Sequence, residues 1–411
     1  MRTDIAAVLV LLWANMAGAQ RTIEVRPGRA PSVAEAVRLA RAGDRVVVAR
    51  GVYREPTIVI DRSITLAGEP GAVLDGSVAT HIVRVDANDV VIRGLTFQNV
   101  TLSHVEDRAA IRVGNVSGCR IEHNRMVNTF FGIYLAGTED CDVSRNSLAG
   151  RPARSEEASG NGIHLWTARR IRIVENRITG HRDGIYLEFA HNTSVIGNVS
   201  EGNLRYGLHF MTSDDCAYSR NTFRENQAGV AVMYARRVEM THNQFTDNWG
   251  ASAYGLLLKE IYDSRVDSNT FSRNTTALFA DGATRMKARE NVFADNGWAV
   301  NLMASTESAE FSGNIFSGNT FDVSTNSRGS SNTLRGNYWD RYEGYDLNRD
   351  GVGDVPHRPV RLFSLIVENN EPTMLMLRSA IIALLDRAER LLPSLTPETL
   401  ADAFPLMRRP R

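Results

Sequence analysis

Apolar and polar residues alternate through most of the chain, and this pattern predicts short β-strands. Apolar pairs separated by one residue recur along the middle of the sequence: Ile133/Leu135, Ile163/Leu165, Ile185/Leu187, Leu208/Phe210, Val230/Val232 and Leu256/Leu258. Because side chains alternate between the two faces of a strand, each pair is expected to face inward. Stripes with the period of an α-helix are nearly absent from this part of the chain.

An asparagine that recurs about every 22 residues sets the period of these strands. Its occurrences are Asn124, Asn146, Asn176, Asn198, Asn221, Asn243, Asn269, Asn291, Asn314 and Asn337. A fixed period of this length is typical of a solenoid. Stacked turns would place successive asparagines about 4.8 Å apart, close enough for a hydrogen-bonded amide ladder. The sequence therefore predicts an all-β protein, a right-handed parallel β-helix with coils of about 22 residues between residues 91 and 340.

The residues before the regular coils divide into two segments. Residues 1–19 are predicted to be a cleaved signal peptide, because Arg2 precedes the apolar stretch 5–13 and small residues 17–19 supply a cleavage site. The apolar stretch is too short to span a bilayer. Residues 20–90 are predicted to form an N-terminal cap and the first coils, with Ser32 and Glu35 as the capping box of a short helix.

Two further segments follow the coils. Residues 341–372 are rich in aspartate and glycine, and residues 373–411 contain the one long helical pattern, Met374–Leu392. Charged residues interrupt that pattern, so it predicts an amphipathic C-terminal helix rather than a transmembrane one. It could pack on the end of its own coils, dock on a partner, or do both.

Charge and cysteine content narrow the classes of function. The chain of 411 residues has 47 basic and 47 acidic side chains, and the balance argues against a nucleic-acid partner. Cys119, Cys141 and Cys216 each lie five residues before a ladder asparagine. Cys119 and Cys141 are thus expected on adjacent turns, where either a disulfide or a stack of buried thiols is compatible with the spacing.

The strand positions that should face outward contain a candidate metal site. Met211 and Met233 fall on adjacent turns, with His209, Glu188 and His164 nearby. Thioether and imidazole groups together suit Cu(I). We expect such a site to be exposed and transient. Exposed methionines would equally suit a protein-docking surface without metal.

An enzyme is a second interpretation, because β-helices often act on polysaccharides. Such chemistry requires carboxylates clustered with a base or an arginine. Asp183 beside His181 and Glu188 is the best candidate, but the outward positions include few carboxylates. The sequence therefore predicts no catalytic set.

A calcium site is predicted in the segment after the coils. Its residues match the first nine positions of a calcium-binding loop, with oxygen donors at Asp346, Asn348, Asp350 and Asp354. The last ligand position is His357 instead of glutamate. A turn held by its own Asx hydrogen bonds explains the motif equally well.

The C-terminal third resembles the family of nitrous oxide reductase maturation proteins called NosD. The resemblance lies in Gly336-Asn-Tyr-Trp-Asp, the run from Gly344 to Pro359, and the segments 362–364, 377–390, 395–399 and 405–410. His357 departs from it, since the family more often has tyrosine there. The coils themselves are less specific, because such repeats occur in many unrelated proteins.

The resemblance implies a non-catalytic periplasmic subunit of an ATP-binding-cassette complex that helps to load copper into nitrous oxide reductase. The implied partners are a membrane permease, which would hold the protein at the membrane, an ATPase, a lipoprotein copper chaperone and the reductase itself. Copper would be bound transiently, as Cu(I). The segment 373–411 would be the element that docks on the permease.

Overall fold

The computed structural model describes residues 20–103, 105–152, 155–327, 329–361, 363–364 and 400–410. These residues form a right-handed parallel β-helix in which each coil contributes one strand to each of three parallel sheets. The fold class predicted from the sequence is confirmed. The predicted signal peptide and the helix Met374–Leu392 lie outside the described residues.

Sheet A contains 14 strands and sheet B contains 13. The strands of sheet A are Thr22–Val25, Arg45–Val48, Thr65–Gly68, Val91–Arg93, Arg120–Glu122, Asp142–Ser144, Arg172–Val174, Ser194–Ile196, Ala217–Ser219, Glu239–Thr241, Arg265–Asp267, Lys287–Arg289, Glu310–Ser312 and Thr333–Arg335. Those of sheet B are Gly51–Tyr53, Ala72–Asp75, Thr96–Gln98, Arg125–Thr129, Ser147–Gly150, Arg177–Thr179, Val199–Glu201, Thr222–Arg224, Gln244–Thr246, Thr270–Ser272, Val292–Ala294, Ile315–Ser317 and Tyr338–Trp339.

Sheet C contains 12 strands. It is the sheet that contains the predicted copper ligands. Its strands are Ile58–Ile60, Val83–Val85, Ala109–Gly114, Phe131–Ala136, Ile163–Trp166, Asp183–Glu188, Tyr206–Met211, Ala228–Met233, Tyr254–Lys259, Thr276–Asp281, Trp298–Leu302 and Phe321–Thr325. Each coil runs from sheet A to sheet B and then to sheet C. The insertion at residues 151–160, with its short 3-10 helix Glu156–Ala158, lies at the corner where sheet B leads into sheet C.

The core between the sheets contains stacks of identical side chains. Apolar residues at equivalent positions lie directly above one another because the strands pair in register. One stack joins Phe223, Phe245, Phe271, Phe293, Phe316 and Trp339, with neighbouring ring centroids 4.1 to 5.6 Å apart. Most of these phenylalanines are the third residue of the recurring Asn-x-Phe phrase. From Asn221 onward, the phrase therefore encodes an inward aromatic stack two residues after each ladder asparagine.

The asparagine ladder is present as predicted. From Asn124 to Asn314, each side-chain Nδ2 donates to Oδ1 of the asparagine one coil further on, at 2.9 to 3.1 Å. The same Oδ1 also accepts the backbone N–H of the preceding asparagine, at 2.8 to 3.0 Å. Each amide thus satisfies buried backbone groups at the sharp turn between sheets A and B.

A second ladder was missed by the sequence analysis. It comprises Asn203, Asn226, Asn248, Asn274, Asn296 and Asn319, all buried, each five residues after a member of the first ladder. Side-chain Nδ2 donates to Oδ1 of the next coil at 2.8 to 3.1 Å where amide–amide bonds form. The signal was available in the sequence, because the spacing of five recurs in six consecutive coils.

The N-terminal end of the β-helix is closed by the helix α1, Val33–Leu39. The predicted capping box is present, since Ser32 accepts the backbone N–H of Glu35 and the Glu35 carboxylate accepts that of Ser32. Glu55 adds a second anionic cap by accepting the N–H groups of Val33 and Ala34, each at 2.9 Å. Negative charge at this end of the helix is favourable because it opposes the helix dipole.

The C-terminal end is closed by residues 400–410, which return to the last coil. Leu334 pairs with Asp402, and Tyr338 pairs with Leu406. The buried Asp402 carboxylate occupies the place of a further ladder amide: one oxygen accepts Asn337 N and Nδ2, both at 2.9 Å. It also accepts Nε1 of Trp339 at 3.2 Å. This part of the predicted permease-docking segment therefore packs on its own coils.

Cys119 and Cys141 form a disulfide between adjacent coils, with their Cα atoms 4.6 Å apart. The alternative of two stacked thiols is therefore wrong in this structure. Cys216 is a buried free cysteine, and burial raises the pKa of its thiol to about 12. A thiol of this kind stays protonated near neutral pH and is unreactive.

The second ladder also ends at a buried carboxylate, and this arrangement predicts a pH effect on stability. Asn319 Nδ2 donates to Oδ1 of Asp322 at 3.3 Å. Burial raises the pKa of Asp322 to about 6, although Arg341 and Asn319 oppose the rise. A carboxyl group whose pKa is raised by folding stabilises the protein fully below about pH 4. That stability is lost as the pH rises through about 6.

We therefore expect Asp322→Asn to stabilise the protein above pH 6 and to change little near pH 4. The expected gain is roughly 3 kcal/mol, because each unit of pKa shift corresponds to about 1.4 kcal/mol. Urea unfolding at a series of pH values measures the difference between the two proteins. A difference that does not vary between pH 4 and pH 8 would contradict the argument.

Candidate functional site

The predicted copper ligands lie on the outward side of sheet C. They form two parallel rows, because the strands pair in register. One row runs Tyr134, His164, Tyr186, His209 and Ala231. The other runs Trp166, Glu188, Met211, Met233 and Lys259. Within a strand, successive members of the two rows are two residues apart, so their side chains project from the same face. The sheet therefore brings all five predicted copper ligands to one surface.

Met211 and Met233 pair directly across adjacent strands. Adjacent parallel strands are about 4.8 Å apart, so the two thioethers start from neighbouring positions. Both side chains are half-buried, and neither is enclosed in the core. Glu188 pairs with Met211 on the other side, so a carboxylate and two thioethers occupy three consecutive coils.

His209 is more buried than the sequence analysis expected, with only 3% of its surface exposed. Its ring stacks on Tyr186 with centroids 4.6 Å apart. Nδ1 lies 3.6 Å from Oδ2 of Asp183, which is longer than a standard hydrogen bond. Nε2 has no hydrogen-bond partner among the described residues. The imidazole thus has one nitrogen beside a carboxylate and the other available to a ligand.

His164 is likewise buried, with 7% of its surface exposed. Nδ1 lies 3.3 Å from Asn161 Nδ2, and Nε2 lies 3.9 Å from Oε2 of Glu188. Burial, followed by the charge of Arg182, lowers the pKa of His164 to about 3. The ring is therefore neutral at physiological pH, which is the state in which imidazole binds metals.

The prediction that these imidazoles are exposed is wrong, and the reason is the aromatic row itself. Tyr134, His164, Tyr186 and His209 form a continuous stack, with centroid distances of 4.4, 4.8 and 4.6 Å. Rings at registered positions cover one another, so an outward-facing side chain can still be enclosed. The sequence shows whether a strand position faces inward or outward, but it does not show how neighbouring side chains cover that position.

Asp183 has partners other than those expected from the sequence. It is completely buried and accepts Nε and a terminal nitrogen of Arg205 at 2.9 and 2.5 Å. Burial alone would raise the pKa of Asp183, but Arg205 and His209 outweigh it and lower the pKa to about 2. His181 is also completely buried, and no ion pair joins it or Glu188 to Asp183 within the described part of the chain.

Sequence reasoning missed Arg205 and Asn161, because both lie at the corner before a strand of sheet C. An alignment of the coils on their inward residues would have placed Arg205 one coil beyond Arg182, immediately beside Asp183. In the structure, the best catalytic candidate of the sequence analysis is thus part of a structural ion pair that flanks His209.

The rim of this surface is aromatic. Trp166, Phe189 and Tyr234 are 44% to 50% exposed, and each follows or belongs to the row of Glu188 and the methionines. Large apolar side chains exposed together are typical of a protein-docking surface. The face therefore combines partly exposed thioethers, buried imidazoles and an apolar rim.

No group of three His, Cys, Asp or Glu side chains converges as a metal site within the described residues. A conventional closed site for zinc or iron is therefore not formed by these residues. A soft Cu(I) ion differs, because thioethers are among its preferred ligands and two or three donors suffice. Met211 and Met233, on adjacent coils, together with one imidazole Nε2 fit such an ion chemically. His164 and His209 lie on opposite sides of the Tyr186 ring, so a single ion would take only one of the two.

The predicted calcium loop is closed by its own hydrogen bonds. Asp346 accepts the backbone N–H groups of Asp350 and Gly351 at 3.2 and 2.9 Å. Asp350 accepts that of Val352 at 2.8 Å, and Asp354 accepts that of Leu347 at 2.6 Å. Asn348 Oδ1 also accepts from Asp350 N. The Asn348 and Asp350 contacts, each to the N–H two residues later, are Asx turns, the alternative considered from the sequence. Calcium binding stays a prediction.

Comparison with known proteins defines the family. Residues 149–344 match the family described as periplasmic copper-binding protein (NosD). The chain is 30% identical over 370 residues to the probable ABC transporter binding protein NosD of Pseudomonas aeruginosa, covering 86% of each chain. It is 29% identical over 370 residues to the protein of the same description in Stutzerimonas stutzeri, covering 85% of this chain and 84% of that protein.

Among solved structures, the mannuronan C-5 epimerase AlgE6 A-module of Azotobacter vinelandii is similar, with a TM-score of 0.52 and 16% identity. The similarity covers 74% of this chain and 92% of that structure. At this identity it shows the fold alone.

The fold and this face define a parallel β-helix protein with a methionine- and histidine-bearing surface on one sheet. The sequence relationship is more specific, and the chain belongs to the NosD family. Its curated relatives are described as binding proteins of ABC transporters. Within the described residues, no helix is long and apolar enough to cross a membrane.

Proposed function

We propose that this protein is the periplasmic copper-handling subunit of an ABC-type complex that supports copper-site assembly in nitrous oxide reductase. It would receive copper from a lipoprotein chaperone and pass it on, without catalysing a reaction itself. The permease and ATPase subunits would hold it at the membrane and supply the energy. The description of the matched family and the descriptions of the relatives as binding proteins support this role.

The observation that favours copper most is the registered pair Met211 and Met233 beside Glu188. Sulfur donors select soft Cu(I) over the harder divalent ions. Imidazole Nε2 of His209 and of His164 lacks a hydrogen-bond partner among the described residues, so each is available as a further donor. Partial exposure of the methionines would let a donor protein reach the ion, whereas buried imidazoles would hold it.

Copper loading of the purified mature protein tests this proposal. We expect one Cu(I) ion per chain, and an X-ray absorption spectrum with both sulfur and nitrogen or oxygen scatterers at the metal. Deletion of the gene should leave nitrous oxide reductase without its full copper content in cells. Protein that binds no Cu(I), together with a fully loaded reductase in the deletion strain, would refute the role.

A further inference from the structure

Asp183 is the first residue of the sheet C strand Asp183–Glu188 and is not one of the proposed copper donors. It is 0% exposed, and its pairing partner in the next strand is Tyr206. Arg205 holds it through two parallel contacts, from Nε to Oδ1 at 2.9 Å and from a terminal nitrogen to Oδ2 at 2.5 Å. This bidentate geometry fixes the plane of the carboxylate as well as its charge.

The imidazole of His209 is held on three sides. Tyr186 stacks on one face, with the two rings only 17° from parallel. Tyr206 meets the ring edge-on, with centroids 4.8 Å apart. Oδ2 of Asp183 lies 3.6 Å from Nδ1.

Besides its contact with Asp183, Arg205 also contacts Tyr206. Its guanidinium lies over the Tyr206 ring, 4.8 Å from the centroid. The orientation of His209 therefore depends on Asp183 directly, and on Arg205 through both Asp183 and Tyr206.

The position of the carboxylate decides which nitrogen of His209 has a lone pair. An ionised Asp183 favours the tautomer with its proton on Nδ1, because that proton points at negative charge. Nε2 then has the free lone pair, and it has no other partner among the described residues. A carboxylate behind a histidine is the usual arrangement at metal sites, where it orients the ring and increases its donor strength.

We infer that Asp183, held by Arg205, is a positioning residue that presents Nε2 of His209 to the copper ion. The inference rests on the proposed function, because it requires that copper binds at this face. It assigns to the buried ion pair a role beyond stabilising the coils. Neither Asp183 nor Arg205 is expected to touch the metal.

The test is a double-mutant cycle on Cu(I) affinity, measured by competition with a chromophoric Cu(I) chelator. Asp183→Asn should raise the Kd by roughly 10- to 100-fold, the usual effect of removing such an outer partner. In a His209→Gln background, the same substitution should have no further effect. X-ray absorption of Asp183→Asn should show one nitrogen scatterer fewer at copper.

Two further variants control for damage to the fold. Asp75→Asn changes another buried carboxylate with an arginine partner, in coils far from the copper face, and should leave the Kd unchanged. Arg205→Lys retains the charge but not the bidentate contact, so it should give a smaller rise in Kd and covers the case that Asp183→Asn does not fold.

Three outcomes would separate the possible explanations. An unchanged Kd in Asp183→Asn, or an equal change with and without His209, would overturn the positioning role while copper binding stood. Wild-type protein that binds no Cu(I) would instead refute the proposed function. A rise in Kd that requires His209, with Asp75→Asn unaffected, supports the inference.

Discussion

Asn221→Ala is expected to destabilise the protein by roughly 4 to 5 kcal/mol, because it removes four hydrogen bonds from the middle of the first ladder at once. Asn221 Oδ1 accepts Asn198 N and Nδ2 at 2.8 and 3.0 Å. Its Nδ2 donates to Val195 O and to Asn243 Oδ1 at 2.9 and 3.0 Å. All of these groups are buried, so each would lose its partner without gaining bulk water.

Urea unfolding monitored by circular dichroism measures this effect. Asn88→Ala is a suitable control, since Asn88 is exposed and its Oδ1 accepts a single N–H, from Ser117 at 2.9 Å. The control should lose about 1 kcal/mol or less. Equal losses in the two variants would show that the ladder contributes no more than an ordinary surface contact.

The second large effect concerns copper. Replacing Met211 and Met233 together by leucine is expected to weaken Cu(I) binding by at least roughly a hundredfold, equivalent to about 2.8 kcal/mol. Leucine retains nearly the same volume and apolar character, so the fold should change little. What is removed is the pair of sulfur donors, and the remaining oxygen and nitrogen donors are harder ligands that suit Cu(I) less well.

The matched control is a double Met→Leu variant in the core. Met240 and Met286 are completely buried, so they cannot reach a metal on the surface of sheet C. Substituting both with leucine should leave the Cu(I) affinity at the wild-type value. If the Met211/Met233 variant also kept wild-type affinity, the copper would have to bind elsewhere, although the family relationship would stand.

The fold was predictable because the same pattern of asparagine and alternating apolar residues recurs in successive coils of the β-helix. Each coil from Asn124 onward contributes an amide to the ladder, and each coil from Asn221 onward also contributes an aromatic residue two positions later. Because the coils stack in parallel, the same contact recurs from coil to coil. The second ladder escaped prediction because Asn203 and its equivalents are not followed by a recurring phrase such as Asn-x-Phe, although their spacing is regular. The Cys119–Cys141 pairing was left open because spacing fixes proximity but not the direction of the thiols.

The candidate site was predictable only in part. Strand parity correctly placed Met211, Met233 and Glu188 on one face, because parity follows from sequence position alone. It could not indicate that His164 and His209 are enclosed, since that depends on rings contributed by other coils. Arg205 could be placed beside Asp183 by aligning the coils, but the sequence does not show that its guanidinium points at that carboxylate.

The ladders have a direction, and this has a consequence for assembly of the chain. Every amide of the first ladder donates one hydrogen to a backbone carbonyl of the preceding coil and one to the next coil, and the backbone N–H of the same asparagine also donates to the next coil. The last coil would therefore present unused N–H groups unless an acceptor covered them. Asp402 is that acceptor, and more than sixty residues separate it from Asn337. Until Asp402 packs on the last coil, the unpaired N–H groups at this end can bind a strand of another chain. Exported chains that lack Asp402 should therefore associate end to end before they misfold in other ways.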